Sequence, residues 1–91
     1  MKKHCTIKVY GTVHGVGFRI TTKELAEKLG ITGIVRNESD GTVYIEAQGE
    51  EDQLKELVKQ CRQGHSHFQV SEVETHWSNE TGQYHEFVIA R

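Results

Sequence analysis

The apolar residues of this chain change spacing along its length, and the order of those changes limits the folds open to it. Cys5, Ile7 and Val9 alternate with Thr6, Lys8 and Tyr10, the period of two that marks a strand with one buried face. A helix is predicted next, from about residue 18 or 19 to 29, with Leu25, Ala26 and Leu29 as its apolar stripe. Thr21 and Glu24 have capping-box spacing, although the helix could equally begin inside the loop before it. Gly30 fits a left-handed stop. Residues 32–36 and 42–48 read as strands, the second carrying Val43, Ile45 and Ala47 on one face and ending at Gly49. The short turn between them, Asn37-Glu38-Ser39-Asp40-Gly41, predicts an antiparallel hairpin. Residues 52–62 give the clearest helix, with Leu54, Leu57, Val58 and Cys61 at i, i+3, i+4 and i+7. Glu50, Glu51 and Asp52 stand at its start, where the helix dipole favours negative charge, and Gly64 stops it. Residues 68–77 read as a fourth strand with imperfect alternation. A polar loop over 78–83 follows, then a last short strand with His85, Phe87 and Ile89 on one face.

A length of 91 residues suits one domain over 1–91, with one core two layers deep. Hydrophobic residues at 35% and charged residues at 26% fit a globular chain. There is no proline, so glycine, Asn and Asp must shape the loops. The element order, two β-α-β units sharing a central hairpin plus a terminal strand, predicts an α/β (α+β) sandwich of the ferredoxin-like, split β-α-β kind. Two helices are expected on one face of a four- to five-stranded, mainly antiparallel sheet. No signal-peptide core or membrane-length apolar run is present, which makes the cytoplasm the default location. Cys5 and Cys61 are expected as free thiols in a reducing compartment, although their spacing does not decide it. A net charge of −2 argues against a nucleic-acid surface.

The stretch richest in chemistry is Tyr10-Gly-Thr-Val-His-Gly-Val-Gly-Phe-Arg19, between the first strand and the first helix. Gly11, Gly15 and Gly17 let the backbone turn tightly and aim N–H groups inward, and such groups at the mouth of a helix make an anion cradle. Arg19 adds a planar fork suited to phosphate or carboxylate. The plainer alternative is a tight strand-to-helix turn with a surface arginine. The pattern lacks the lysine of G-x-x-x-x-G-K-[ST], and Ile20 stands where G-x-G-x-x-G needs its third glycine. The first crossover brings the end of the second strand, and Asn37, toward this loop. An Asn amide both accepts and donates, so Asn37 could hold and orient a water; it is also a common turn-former.

The two segments together resemble the acylphosphatase family. Gly11-Thr-Val-His-Gly-Val-Gly-Phe-Arg19 is similar to its first signature, G-x-V-Q-G-V-x-[FY]-R. Gly33-Ile-Val-Arg-Asn37-Glu-Ser-Asp-Gly41-Thr-Val43, with Gly49, is similar to its second. The resemblance covers nearly the whole chain. It implies hydrolysis of the carboxyl–phosphate bond of acyl phosphates, with inorganic phosphate as a product and no metal or other cofactor. In that picture Arg19 binds the substrate phosphate, helped by backbone N–H groups of Gly15, Val16, Gly17, Phe18 and Arg19, and Asn37 positions the attacking water. The carboxylate leaving group has a conjugate acid of pKa about 4 and needs no general acid, so positioning and charge stabilisation suffice. Three departures stand out. His14 replaces the usual glutamine, either keeping a loop hydrogen bond or making the loop pH-sensitive; Ile34 replaces a common aromatic; and the segment from Gly64 to Phe68 lacks the usual proline.

Three other readings compete. His65 and His67, with His4, Cys5 and Cys61, could suggest a metal site, but no recognised zinc spacing is present. RNA-binding modules share the topology, yet the run Gly15-Val-Gly-Phe18 follows the first strand rather than lying on the third, where Tyr44 and Glu46 make a poor stacking platform. The third is a non-catalytic, anion-binding or regulatory domain of the same family, or part of a larger transferase such as the hydrogenase-maturation carbamoyltransferases. A chain ending just after its last strand favours a stand-alone protein, expected to be a monomer.

Overall fold

A computed structural model of the chain describes residues 2–15, 17–64, 69–79 and 84–90. Its elements are β1 (Lys2–Thr12), α1 (Phe18–Lys28), β2 (Thr32–Asn37), β3 (Val43–Glu50), α2 (Glu51–Gln63), β4 (Gln69–Ser78) and β5 (Phe87–Ile89). They form one sheet in the order β4-β1-β3-β2-β5. β3 runs antiparallel to both β1 and β2, β4 antiparallel to β1, and β5 parallel to β2. This is the split β-α-β arrangement, with five strands in a mixed sheet.

Alternation decides which face is covered. Cys5, Ile7 and Val9 of β1 stand opposite Ala47, Ile45 and Val43 of β3, and all six are buried. Leu54, Leu57, Val58 and Cys61 of α2 and Phe18 and Ala26 of α1 close over that face. The opposite face carries Lys8, Tyr10, Tyr44 and Glu46, polar side chains that pair among themselves and with Asp40 and Glu74. Glu46 accepts hydrogen bonds from Tyr44 (3.1 Å) and from Tyr84 (2.7 Å), the latter fastening the segment before β5. The Arg36 guanidinium lies 4.6 Å from the centre of the Tyr44 ring.

Several boundaries differ from those predicted, each for a physical reason. The capping box of Thr21 and Glu24 does not form: α1 begins at Phe18, the earlier of the starts considered, so the Thr21 N–H already bonds Gly17 O at 3.0 Å inside the helix. The buried stripe is Phe18, Thr22 and Ala26, with the predicted Leu25 and Leu29 only partly buried against it. Gly49 does not end β3; it pairs with Lys3, and the strand runs to Glu50. The imperfect alternation of β4 comes from a bulge. Val73 faces Val9 and Glu72 faces Tyr10, but Gly11 faces Val70, so Ser71 is the extra residue. His85 lies before β5 rather than in it, and Ile89, unlike buried Phe87, reaches solvent. The stop of α1 is as predicted. The Gly30 N–H bonds Glu27 O (3.2 Å) and the Ile31 N–H bonds Ala26 O (2.9 Å), the Schellman pattern.

Cys5 and Cys61 are both free and buried, and burial pushes each thiol up to about 12, so neither is a reactive thiolate at neutral pH. Phe68 and most of the predicted loop over 78–83 lie outside the described residues.

Candidate active site

The carboxyl ends of the parallel strands β1 and β2 lie at the same end of the sheet, because both run antiparallel to β3 between them. The loop leaving β1 and the turn leaving β2 are therefore neighbours. Gly15 and Gly17 of the loop have φ of 72° and 84°, the left-handed region that disfavours side-chain-bearing residues. A Cβ at either would meet nothing within 4 Å, so backbone conformation, not space, calls for glycine there. Gly17 is the N-cap of α1, and no side chain caps this end.

The two helix starts contrast sharply. α2 carries Glu51 and Asp52 in its first turn, whereas α1 has no acidic residue there. N–H groups in a helix's first turn lack acceptors within the helix, and the dipole adds partial positive charge. At α1 no acidic side chain in the first turn answers that field. Arg19 adds a full charge. It lines a cleft of about 350 Å³ together with Gly15, Gly17 and Phe18 of the loop and helix start. Among the described residues no carboxylate pairs with its guanidinium.

Asn37 closes β2. It stands opposite Val43, which in turn stands opposite Val9, so its side chain shares the helix-covered face with those buried valines. Its Oδ1 is shielded from solvent and has no hydrogen-bond donor among the described residues. An amide oxygen left so costs about 1–3 kcal/mol, an unusual expense for a mere turn-former. Arg19 and Asn37 thus lie on the same face and at the same end of the sheet, although Asn37 is not part of the lining of the Arg19 cleft. Val16 lies outside the described residues.

One tie between loop and turn was only half legible. His14 Nε2 lies 2.7 Å from Thr42 O. A carbonyl only accepts, so Nε2 carries the hydrogen. The hydrogen bond considered for His14 is present, and it reaches the carbonyl of the turn between β2 and β3. Thr42 O also accepts from the Glu38 N–H at 2.9 Å, next to Asn37. The turn is held in turn by Asp40, whose Oδ1 accepts from the Thr42 hydroxyl (2.6 Å) and N–H (3.0 Å), while Lys8 lies 3.1 Å from its Oδ2. Sequence reasoning passed over Asp40 and Thr42 as site-shaping residues; the Asp-Gly turn was the available signal.

These contacts set a pH dependence. The Thr42 hydroxyl and N–H, then Lys8, pull the Asp40 carboxyl down from 3.8 to about 2. A depressed acid stabilises the fold above its unfolded pKa, and that contribution fades as pH falls toward the folded value. Asp40→Asn is therefore expected to lower the urea midpoint at pH 7. The gap from the parent should narrow between about pH 4 and pH 2; a gap constant across that window would mean the Asp40 charge is not what holds the turn.

Comparison with known proteins bears directly on what this site belongs to. The acylphosphatase family model matches residues 5–89. The chain belongs to the acylphosphatase family. An acylphosphatase of Lactiplantibacillus plantarum is 45% identical over 85 residues, covering 92% of this chain and 93% of that protein. The crystal structure of acylphosphatase from Bacillus subtilis superposes with a TM-score of 0.93 at 33% identity, each chain covered completely. Full-length HypF, in a phosphate- and nucleotide-bound form, contains a similar domain: TM-score 0.91 and 29% identity over all of this chain but 12% of that one. Domains of this fold thus occur both as small proteins and inside a longer one.

The metal alternative rested partly on His65 and His67, which lie outside the described residues. Among the described residues no cluster of three His, Cys, Asp or Glu side chains could hold a metal, and no helix is long and apolar enough to cross a membrane.

Proposed function

We propose that this acylphosphatase hydrolyses acyl phosphates by holding the phosphate between the glycine loop, the α1 N-terminus and Arg19, with Asn37 orienting the attacking water. The reading is carried by one observation: the only charged group lining the loop cleft, among the described residues, is an arginine without a carboxylate partner at an uncapped helix start. The water oxygen bonds to phosphorus as the bond from phosphorus to the acyl oxygen breaks. The carboxylate departs with that electron pair. Fixed cationic and N–H donors stabilise the charge on the transferring group without reorganising.

The water's proton goes to a phosphate oxygen. Glu38, the nearest carboxylate in sequence, lies in the turn just after β2 and faces Arg36 at 3.5 Å. His14 Nε2 already donates to Thr42 O. The reaction so written is balanced, giving a carboxylate and dihydrogen phosphate. The partners are a small acyl phosphate and inorganic phosphate, and the active unit is a cytoplasmic monomer of one domain.

Asn37→Ala separates the two halves of the site. It is expected to lower kcat on benzoyl phosphate, with EDTA present, by about 10²-fold, the order lost when a nucleophile is misplaced. Competitive inhibition by inorganic phosphate should change less than about threefold, since uniform binding is retained. Equal losses in turnover and phosphate inhibition would assign Asn37 to anion binding instead. A folded parent without turnover would favour the anion-binding, non-catalytic domain.

A further inference from the structure

The cleft beside Arg19 has a second, apolar half. Val13 and Phe18 form its floor, at 1% and 3% exposure. Ile20 from the first turn of α1 and Ile89 from β5 form its rim. These two are 57% and 37% exposed, and only Trp77 and Val88 join them as exposed large hydrophobics among the described residues. Two distant parts of the chain thus bring exposed isoleucines to one opening. Neither belongs to the buried core cluster, which includes Phe18 and Phe87.

An acyl phosphate has two ends. Where Arg19 and the helix start take the phosphate, as proposed above, the acyl group must leave along the cleft walls. The walls offer methyl and methylene groups, and no cation besides Arg19 among the described residues. We propose that the rim of Ile20 and Ile89 selects acyl phosphates whose acyl group is an apolar alkyl or aryl chain, over acetyl phosphate and over acyl phosphates bearing a second anionic group. This rests on the Arg19 site. It adds a preference among substrates, set by contact area rather than by hydrogen bonds.

The test is kcat/KM along acetyl, propanoyl, butanoyl and pentanoyl phosphate, with succinyl phosphate as the anionic comparison. The unbranched alkanoates differ little as leaving groups, so intrinsic reactivity stays nearly level and the slope reports contact. A fully buried methylene corresponds to about fourfold, and an open cleft recovers about half of that free energy, so roughly twofold per methylene is expected. Succinyl phosphate should fall below butanoyl phosphate by about tenfold or more. Ile20→Ser should flatten the series, and Ile89→Ser provides a second, independent variant; circular dichroism checks folding of both. Inhibition by inorganic phosphate, measured alongside, separates damage to the loop from loss of the rim. A flat series in the parent, or succinyl phosphate as the better substrate, overturns the proposal. Absence of turnover with every acyl phosphate instead overturns the reading of the Arg19 site beneath it. A sloping series that neither isoleucine variant flattens places the acyl group elsewhere and also overturns it.

Discussion

Arg19→Ala is expected to lower kcat/KM for benzoyl phosphate by about 10³-fold or more while leaving the protein folded. Loss of one preorganised donor to a developing charge costs about 10²–10³ in rate, and a cationic arginine on a transferring phosphoryl group carries more. Arg19 is half-buried, lines the loop cleft and has no carboxylate partner among the described residues, so removing it strands no opposite charge. Its loss should therefore appear in catalysis rather than in stability. Arg19→Lys should recover only about tenfold, because an ammonium supplies charge without the planar fork. Inhibition by inorganic phosphate should weaken in both variants, unlike in Asn37→Ala. Steady-state kinetics with a thermal melt decides it: an Arg19→Ala protein within about tenfold of the parent would move phosphate binding away from this residue.

Gly33→Ala should be, with Gly11→Ala, among the most destabilising of the single-methyl changes. Gly33 sits inside β2, between β3 and β5, with φ of 147°. A Cβ there would lie 1.9 Å from the Glu46 carbonyl oxygen, which is backbone and cannot swing aside. The Gly33 N–H also bonds Glu86 O at 3.0 Å, the contact that starts β5. Relieving the overlap means parting β2 from β3 or β5, at a cost of about 3–5 kcal/mol. That is a large share of the roughly 5–15 kcal/mol that holds a domain together. Gly41→Ala is the matched control. Its φ of 91° is also left-handed, but a Cβ would meet nothing within 4 Å, so only conformational strain of about 1–2 kcal/mol applies. Urea denaturation of the pair compares clash plus strain with strain alone. Equal midpoints would show that the sheet yields at Gly33 more easily than its contacts imply.

The parts of this fold that could be read from sequence were those specified locally. Cys5, Ile7 and Val9, or Leu54, Leu57, Val58 and Cys61, announce their buried face by spacing alone, because each element has a continuous apolar pattern. The misses came where a partner strand or loop sets the outcome. β1 extends to Thr12 because Gln69 pairs with it, and Ser71 bulges because Tyr10 and Gly11 shift register. No pattern within either segment carries that information. In α1, Thr22 is more deeply buried than the apolar Leu25, which the spacing of apolar residues alone does not show.

The site divides in the same way. Arg19 stood out because one arginine closes a glycine-rich run, and Asn37 because the hairpin signature fixes its position. The bond from His14 to Thr42 needs residues 28 apart to meet, and the rim of Ile20 and Ile89 needs β5 to dock beside β2. Those are consequences of topology, visible only once the strands are ordered.

Oxygen-18 transfer tests the central claim most directly. Hydrolysis of benzoyl phosphate is run to a single turnover in labelled water, and both products are analysed by mass spectrometry. Attack by a water oriented at Asn37 on a phosphate held at Arg19 places the label in inorganic phosphate and leaves benzoate unlabelled. Label in benzoate would mean attack at the carbonyl carbon, and would contradict the assignment of the loop, Arg19 and Asn37 to chemistry at phosphorus.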